Sequence, residues 1–224
     1  MPRSPIALII GFGPGISYHF ADQLIKNGYL VAVAARNREK VENLAREIGA
    51  HPFVADAGSI ESIQSLFSQI DTSLGSPEVV LFNPSARVRG DFTSIDPAVA
   101  ADAIQVTAVG GFVAAQEAAK RMLPNKKGAI FFTGATASIK GFPKSATFAM
   151  GKFAIRGLAQ SLAKELGPEG IHVAHFIIDG AVLSEGSEQE FTAKNIAQSY
   201  ISVLQQPPGA WSWELELRSK DERF

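Results

Sequence analysis

AIFFTGATASIKGFPKSATFAMGK, residues 129–152, is the stretch whose reading decides the rest of the chain. Ala129–Phe132 is a short apolar run with the composition of a buried strand. It ends in the small and hydroxylated residues Thr133 to Ser138, as a strand does when it opens into a loop. A helical pattern begins near Ser145, so Phe148 and Lys152, four residues apart, share one face. The pattern continues through Leu158, Leu162 and Leu166 and stops at Gly167-Pro168.

Five more short apolar runs alternate with helical patterns around this segment. They predict strands at Ile6–Ile10, Leu30–Ala35, His51–Ala55, Val79–Phe82 and Ile171–Ile178, with a last one at Glu214–Leu217. Pro97 to Leu123 reads as one long helix, softly interrupted at Gly110 and Gly111, and Phe191 to Leu204 as a shorter one. Such alternation implies a doubly wound parallel sheet of the Rossmann type, about seven strands with helices on both faces. Ligands bind such a sheet at the carboxyl ends of its strands, where the first and fourth part company.

The first strand flows into Gly11-Phe12-Gly13-Pro14-Gly15-Ile16-Ser17 and then a helix to about Asn27. Strand, glycine loop and helix is the context a dinucleotide fingerprint requires. Gly11, Gly13 and Gly15 let the backbone approach a pyrophosphate, and the helix start at Ile16 and Ser17 supplies N–H groups. A tight turn with no ligand is the other reading of these residues. At the end of the second strand, where an NAD site keeps an acid for the ribose 2′-hydroxyl, stand Ala35 and Arg36. An arginine there suits a 2′-phosphate, so NADP is expected as cofactor ahead of NAD; a solvated basic helix start is the alternative.

The bulk properties bound the remaining choices. The 224 residues include 21 Lys and Arg against 22 Asp and Glu, a net charge of −1, which gives no reason to expect nucleic acid as a partner. The absence of cysteine excludes disulfides and thiolate catalysis. No uninterrupted apolar run reaches the ~18 residues of a membrane span, and no signal peptide precedes the first strand, so a cytoplasmic location without membrane contact is expected. The four histidines fall in separate elements or on opposite faces of one strand, so no metal site is expected. Residues 1–224 read as a single dinucleotide-binding domain.

Residues 129–152 resemble the active-site segment of the short-chain dehydrogenase/reductase family, in which a tyrosine stands four residues before a lysine and a serine precedes both at a strand end. Lys152 fits the lysine, but Phe148 takes the tyrosine's place and Ala135 the serine's. The resemblance extends from Ile6 to about Ser184. The glycine loop matches at Gly11 and Gly15, with Ile10 for a threonine and Ser17 for the third glycine. Asn83 opens an altered Asn-Asn-Ala-Gly turn, and Thr107 falls where the family's helix carries an asparagine that shapes a proton-relay water site. A helical threonine more often bonds its own backbone. Asp179-Gly180-Ala181-Val182-Leu183-Ser184 is similar to the family's Pro-Gly-x-x-x-Thr.

The resemblance implies an oxidoreductase that moves a hydride between NADP(H) and a small carbonyl, alcohol or activated alkene. Asp56 would contact adenine, though it could also cap the following helix. Lys152 would hold the nicotinamide ribose, and Gly180, Val182 and Ser184 would line the nicotinamide. The long helices imply a homodimer or homotetramer. Because a phenyl ring neither gives nor takes a proton, the usual donor is missing, and Thr136 and Ser138 are the nearest hydroxyl candidates. Three readings remain open: a reductase with a non-standard proton donor, an NADP(H)-binding pseudoenzyme acting as sensor or scaffold, and an isomerase or lyase that keeps its cofactor.

Overall fold

Ile6–Ile10 (β1) is buried at all five positions, which explains why its sequence shows no polar alternation. In the computed structural model, which describes residues 4–187 and 189–222, six further strands join it: Leu30–Ala35 (β2), His51–Val54 (β3), Val79–Phe82 (β4), Gly128–Thr133 (β5), Ile171–Asp179 (β6) and Glu214–Arg218 (β7). They form one sheet in the order β3-β2-β1-β4-β5-β6-β7, every pairing parallel. The register aligns Ile10 with Ala34 and with Phe82, and Phe82 with Phe132. The carboxyl ends of β2, β1, β4 and β5 therefore lie side by side. The chain leaves β1 toward β2 and returns at β4 on its other side, so a crevice opens between the loops after these two strands.

Side chains alternate between two cores. Ile6, Leu8 and Ile10 join the core beneath Ile60–Ser73 (α3), Gly110–Met122 (α5) and Ala146–Leu166 (α6), with Pro97–Ile104 (α4) packed on α6. Ala7 and Ile9 face the opposite core, closed by Ile16–Lys26 (α1), Arg38–Ile48 (α2) and Ala193–Leu204 (α7). The edge strand β3 is mostly exposed and carries Pro52, which an edge tolerates because no ladder donor is lost from the interior.

The long helix differs from its sequence reading. Its interruption lies at Gln105–Val109, a single π-helical turn between α4 and α5, rather than at the glycines. Gly110 and Gly111 serve close packing: a Cβ at Gly110 would stand 2.3 Å from the Ala57 carbonyl oxygen, and one at Gly111 2.3 Å from Ile155. By length and composition Pro97–Asn125 would pass for a membrane span. Here Val113, Ala114, Ala118 and Met122 are buried in the core against the sheet and α6. The last helix starts at Ala193, capped by Thr192, whose hydroxyl accepts from the Asn195 N–H at 3.2 Å, two residues later than its apolar pattern suggests.

Candidate active site

The glycine loop has the shape its composition predicts. Gly11 takes φ +81°, and a Cβ there would strike the Pro84 ring and nitrogen at 2.7–2.8 Å, so only glycine fits. A Cβ at Gly13 or Gly15 would meet nothing, because both border the crevice. No side chain caps α1, whose start at Ile16 and Ser17 borders the crevice. Ser17 does more than allow close packing. It is buried, and its Oγ accepts from the Gly13 N–H at 3.0 Å and donates to the Gly13 carbonyl at 3.2 Å, closing the loop on itself. Gly13 therefore contributes open space, with its N–H already used.

Three pockets share Asn83 and together form one groove along the strand ends. Asn83 ties the groove's centre: its backbone N–H donates to the Ile10 carbonyl and its side-chain amide donates to the Gly11 carbonyl at 2.9 Å. One end is a cavity of about 350 Å³ bordered by Arg36 and Asp56, both exposed. Asp56 does not cap α3. Its Oδ1 accepts from the Gly58 N–H at 2.9 Å, and Ser59 is the cap. A middle section of about 400 Å³ holds Gly13, Gly15, Val182 and Ser184. The other end, about 550 Å³, is lined by Ala135, Thr136, Phe148, Lys152 and Gly180 among others.

In that last cavity the groups read from the sequence separate. Phe148 and Lys152 do share a face of α6, with the ammonium 5.9 Å from the ring centroid. Lys152 is 3% exposed and donates to the Thr133 carbonyl oxygen at 2.5 Å. Among the described residues no carboxylate pairs with it, and burial lowers its pKa from 10.5 to about 8. Thr136 lines the cavity, but its hydroxyl donates to Asp179 Oδ1 at 2.5 Å. Its proton is therefore committed, and toward a ligand it can only accept. Ser138 is fully buried, its Oγ accepting from the Ala135 N–H at 3.1 Å, and it stands outside the cavity wall. The hydroxyl expectation for Ser138 is corrected on that ground, and for Thr136 as donor by the direction of its hydrogen bond.

Two features escaped the sequence reading. Asp179, the one acid of β6 and at its end, is 1% exposed and lies 2.6 Å from the Arg218 guanidinium on β7. A lone acid at the end of a nine-residue buried strand was the available signal. Arg87 also lines the large cavity, donating to Ser145 Oγ at 2.5 Å with its guanidinium carbon 5.1 Å from the Phe148 centroid. The loop that carries it is pinned at Ala86, whose N–H donates to Thr107 Oγ1, and at Val88, whose N–H donates to Thr147 Oγ1. Thr107 thus bonds this loop and not its own helix; the π-helical turn presents it there. The two histidines of β6 make structural contacts: His172 stacks on Trp211 at 4.8 Å, and His175 meets Glu214 at 3.1 Å.

Comparison with known proteins agrees with this architecture. The family profile described as "short chain dehydrogenase" matches residues 5–195. A short chain aldehyde dehydrogenase of Euphorbia lathyris is 30% identical over 75% of this chain and 60% of its own length. An NADPH-dependent 1-acyldihydroxyacetone phosphate reductase of Saccharomyces cerevisiae is 28% identical over 78% of this chain and 60% of its own. The chain thus spans about 60% of the length of these two curated relatives. The crystal structure of a short-chain dehydrogenase from Rhodopseudomonas palustris superposes with a TM-score of 0.86 at 34% identity, covering 97% of this chain and 99% of that one. With a profile match over most of its length and a relative of this similarity, the chain belongs to the short chain dehydrogenase family.

Proposed function

We propose that this protein is an NADP(H)-dependent oxidoreductase that reduces a small carbonyl compound or activated alkene and draws its proton from Lys152. The observation that carries the reading is the continuous groove around Asn83, with Arg36 at one end and Lys152 at the other. Its parts fit a dinucleotide: an exposed guanidinium for a 2′-phosphate, open glycines and an uncapped helix start for a pyrophosphate, and a buried ammonium for ribose hydroxyls. NADPH bound there would supply the hydride to the carbonyl carbon.

The chain's own residues must then provide the proton and the orientation. Thr136 cannot give a proton it already shares with Asp179, and Ser138 does not reach the cavity. Of the two cationic side chains on the wall, Lys152 and Arg87, Lys152 carries the ammonium that can give up a proton. With its pKa near 8, Lys152 is charged at neutral pH yet loses its proton readily, the balance that general acid catalysis favours. Phe148 and Ala135 keep the volume of the usual side chains and present no donor. The Phe148 and Phe142 rings line the same cavity and give it an apolar wall.

The absence of both hydroxyls also favours a second reading, an NADP(H)-binding sensor or scaffold. A homodimer or homotetramer and a cytoplasmic setting go with either proposal. The test is a carbonyl and quinone panel with NADPH, run on the unmutated protein and on Ala135→Ser with Phe148→Tyr. The reductase reading expects weak turnover that the double change raises by about 10² to 10⁴, the worth of one positioned general acid. A protein that binds NADPH but stays inert in both forms would favour the sensor.

A further inference from the structure

Among the described residues, the substrate end of the groove carries charge of one sign: Arg87 and Lys152 line it, and no carboxylate does. Asp179, the buried acid behind Thr136, is occupied by Thr136 and Arg218. Lys152 gives one N–H to the Thr133 carbonyl, and the reductase reading assigns its remaining donors to the cofactor ribose and the proton. Arg87 makes one hydrogen bond, to Ser145, and no ion pair among the described residues, so its other N–H donors have no protein acceptor. An ordinary surface arginine with free donors would mean nothing. Arg87 is exposed but held in place: its partner Ser145 is 1% exposed, the Phe148 ring lies beneath the guanidinium, and the loop is bonded to Thr107 and Thr147 on either side. A guanidinium fixed in this way, with its remaining edge toward a cavity, is preorganised for a planar anion that accepts two parallel hydrogen bonds.

We infer that Arg87 is the anion-recognition residue of the substrate pocket and that the substrate is a small carbonyl compound bearing a carboxylate. The inference rests on the reductase reading for the word substrate, but the subsite itself does not. A cavity of about 550 Å³ that must also admit a nicotinamide leaves room for an oxo acid of a few carbons. Phe142 and Phe148 would cover its hydrocarbon part, and the carboxylate would meet Arg87.

Linear oxo acids with the carboxylate one to four carbons from the carbonyl, each paired with its methyl ester, separate charge recognition from packing. Kinetics with NADPH should favour at least one acid over its ester. Arg87→Met should cut kcat/KM for that acid about 10- to 100-fold, mainly through KM, and change the ester little, because the lost contact is charge-assisted. Arg87→Lys should fall between, keeping the charge and losing the paired geometry. Equal losses on acid and ester would assign Arg87 a packing role and overturn the inference. So would turnover of neutral ketones with no preference for any acid, and that result would leave the reductase reading standing. If nothing is turned over, calorimetry of the oxo acids, with and without NADP⁺, decides the subsite alone. Binding that Arg87→Met abolishes upholds it while the reductase reading falls; no binding overturns it.

Discussion

Lys152 should make the ligand-free protein more stable as the solution becomes alkaline, against the usual trend. Its ammonium is 3% exposed and bonded only to a backbone carbonyl, and burial lowers its pKa from 10.5 to about 8. The unfolded chain therefore holds one more proton than the fold between those two values. A depressed folded-state pKa means that the associated stability is fully present above the unfolded value and is lost as pH falls through the folded one. At about 1.36 kcal/mol per pH unit the gap is worth ~3.4 kcal/mol, and roughly three quarters of it returns between about pH 7 and pH 10. The assay is urea denaturation across that range on the unmutated protein and on Lys152→Met. Buried Tyr200, whose pKa burial raises, acts in the opposite sense above pH 10, but it is present in both proteins and cancels in their difference. The difference curve should climb by about 2.5 kcal/mol in favour of the unmutated protein. Parallel curves would show that the ammonium is solvated, and with it the argument for Lys152 as a tuned proton donor would fail.

Other outcomes follow from single contacts. Arg36→Ala should bring NADPH affinity down to near that of NADH, a loss of about 1.5–3 kcal/mol for one charge-assisted contact; fluorescence titration with both cofactors reads it, and an unchanged ratio would place the 2′-phosphate elsewhere. Thr136→Val leaves an oxygen of buried Asp179 without its donor, so it should cost about 1–3 kcal/mol of stability in urea. It should not remove a proton-transfer step: a loss of kcat with stability intact would reinstate Thr136 as the donor. Gly110→Ala drives a Cβ against the Ala57 carbonyl and should destabilise strongly, whereas Gly157→Ala, exposed in α6 with nothing within 4 Å, should stabilise by up to ~1 kcal/mol. Equal melting shifts for the two would mean that α5 does not sit where the sheet places it.

The sheet was readable because its inner strands are buried on both faces, so Ile6–Ile10 and Val79–Phe82 show as unbroken apolar runs. The glycine loop was readable because Gly11 has a steric reason that no other residue satisfies. Position along the helix also placed Phe148 and Lys152 on one face. Periodicity could not show the π-helical turn, which shifts the hydrogen-bond pattern by one residue without altering composition, and so Thr107 was given the wrong partner. Nor could it tell which way a loop hydroxyl points. Thr136 and Ser138 are two residues apart in the same turn, yet one faces the cavity and the other the interior. Arg87 stayed hidden because its anchor Ser145 is 58 residues away, a contact only the folded sheet creates.

Titration calorimetry of the unmutated protein with NADPH, repeated with Lys152→Ala, tests the central claim most directly. The proposal predicts one saturable site per chain, tighter for NADPH than for NADH, and measurably weaker once the Lys152 ammonium is gone. No saturable NADPH binding, or binding that Lys152→Ala leaves untouched, would contradict the assignment of this groove as a dinucleotide site organised around Asn83 and Lys152.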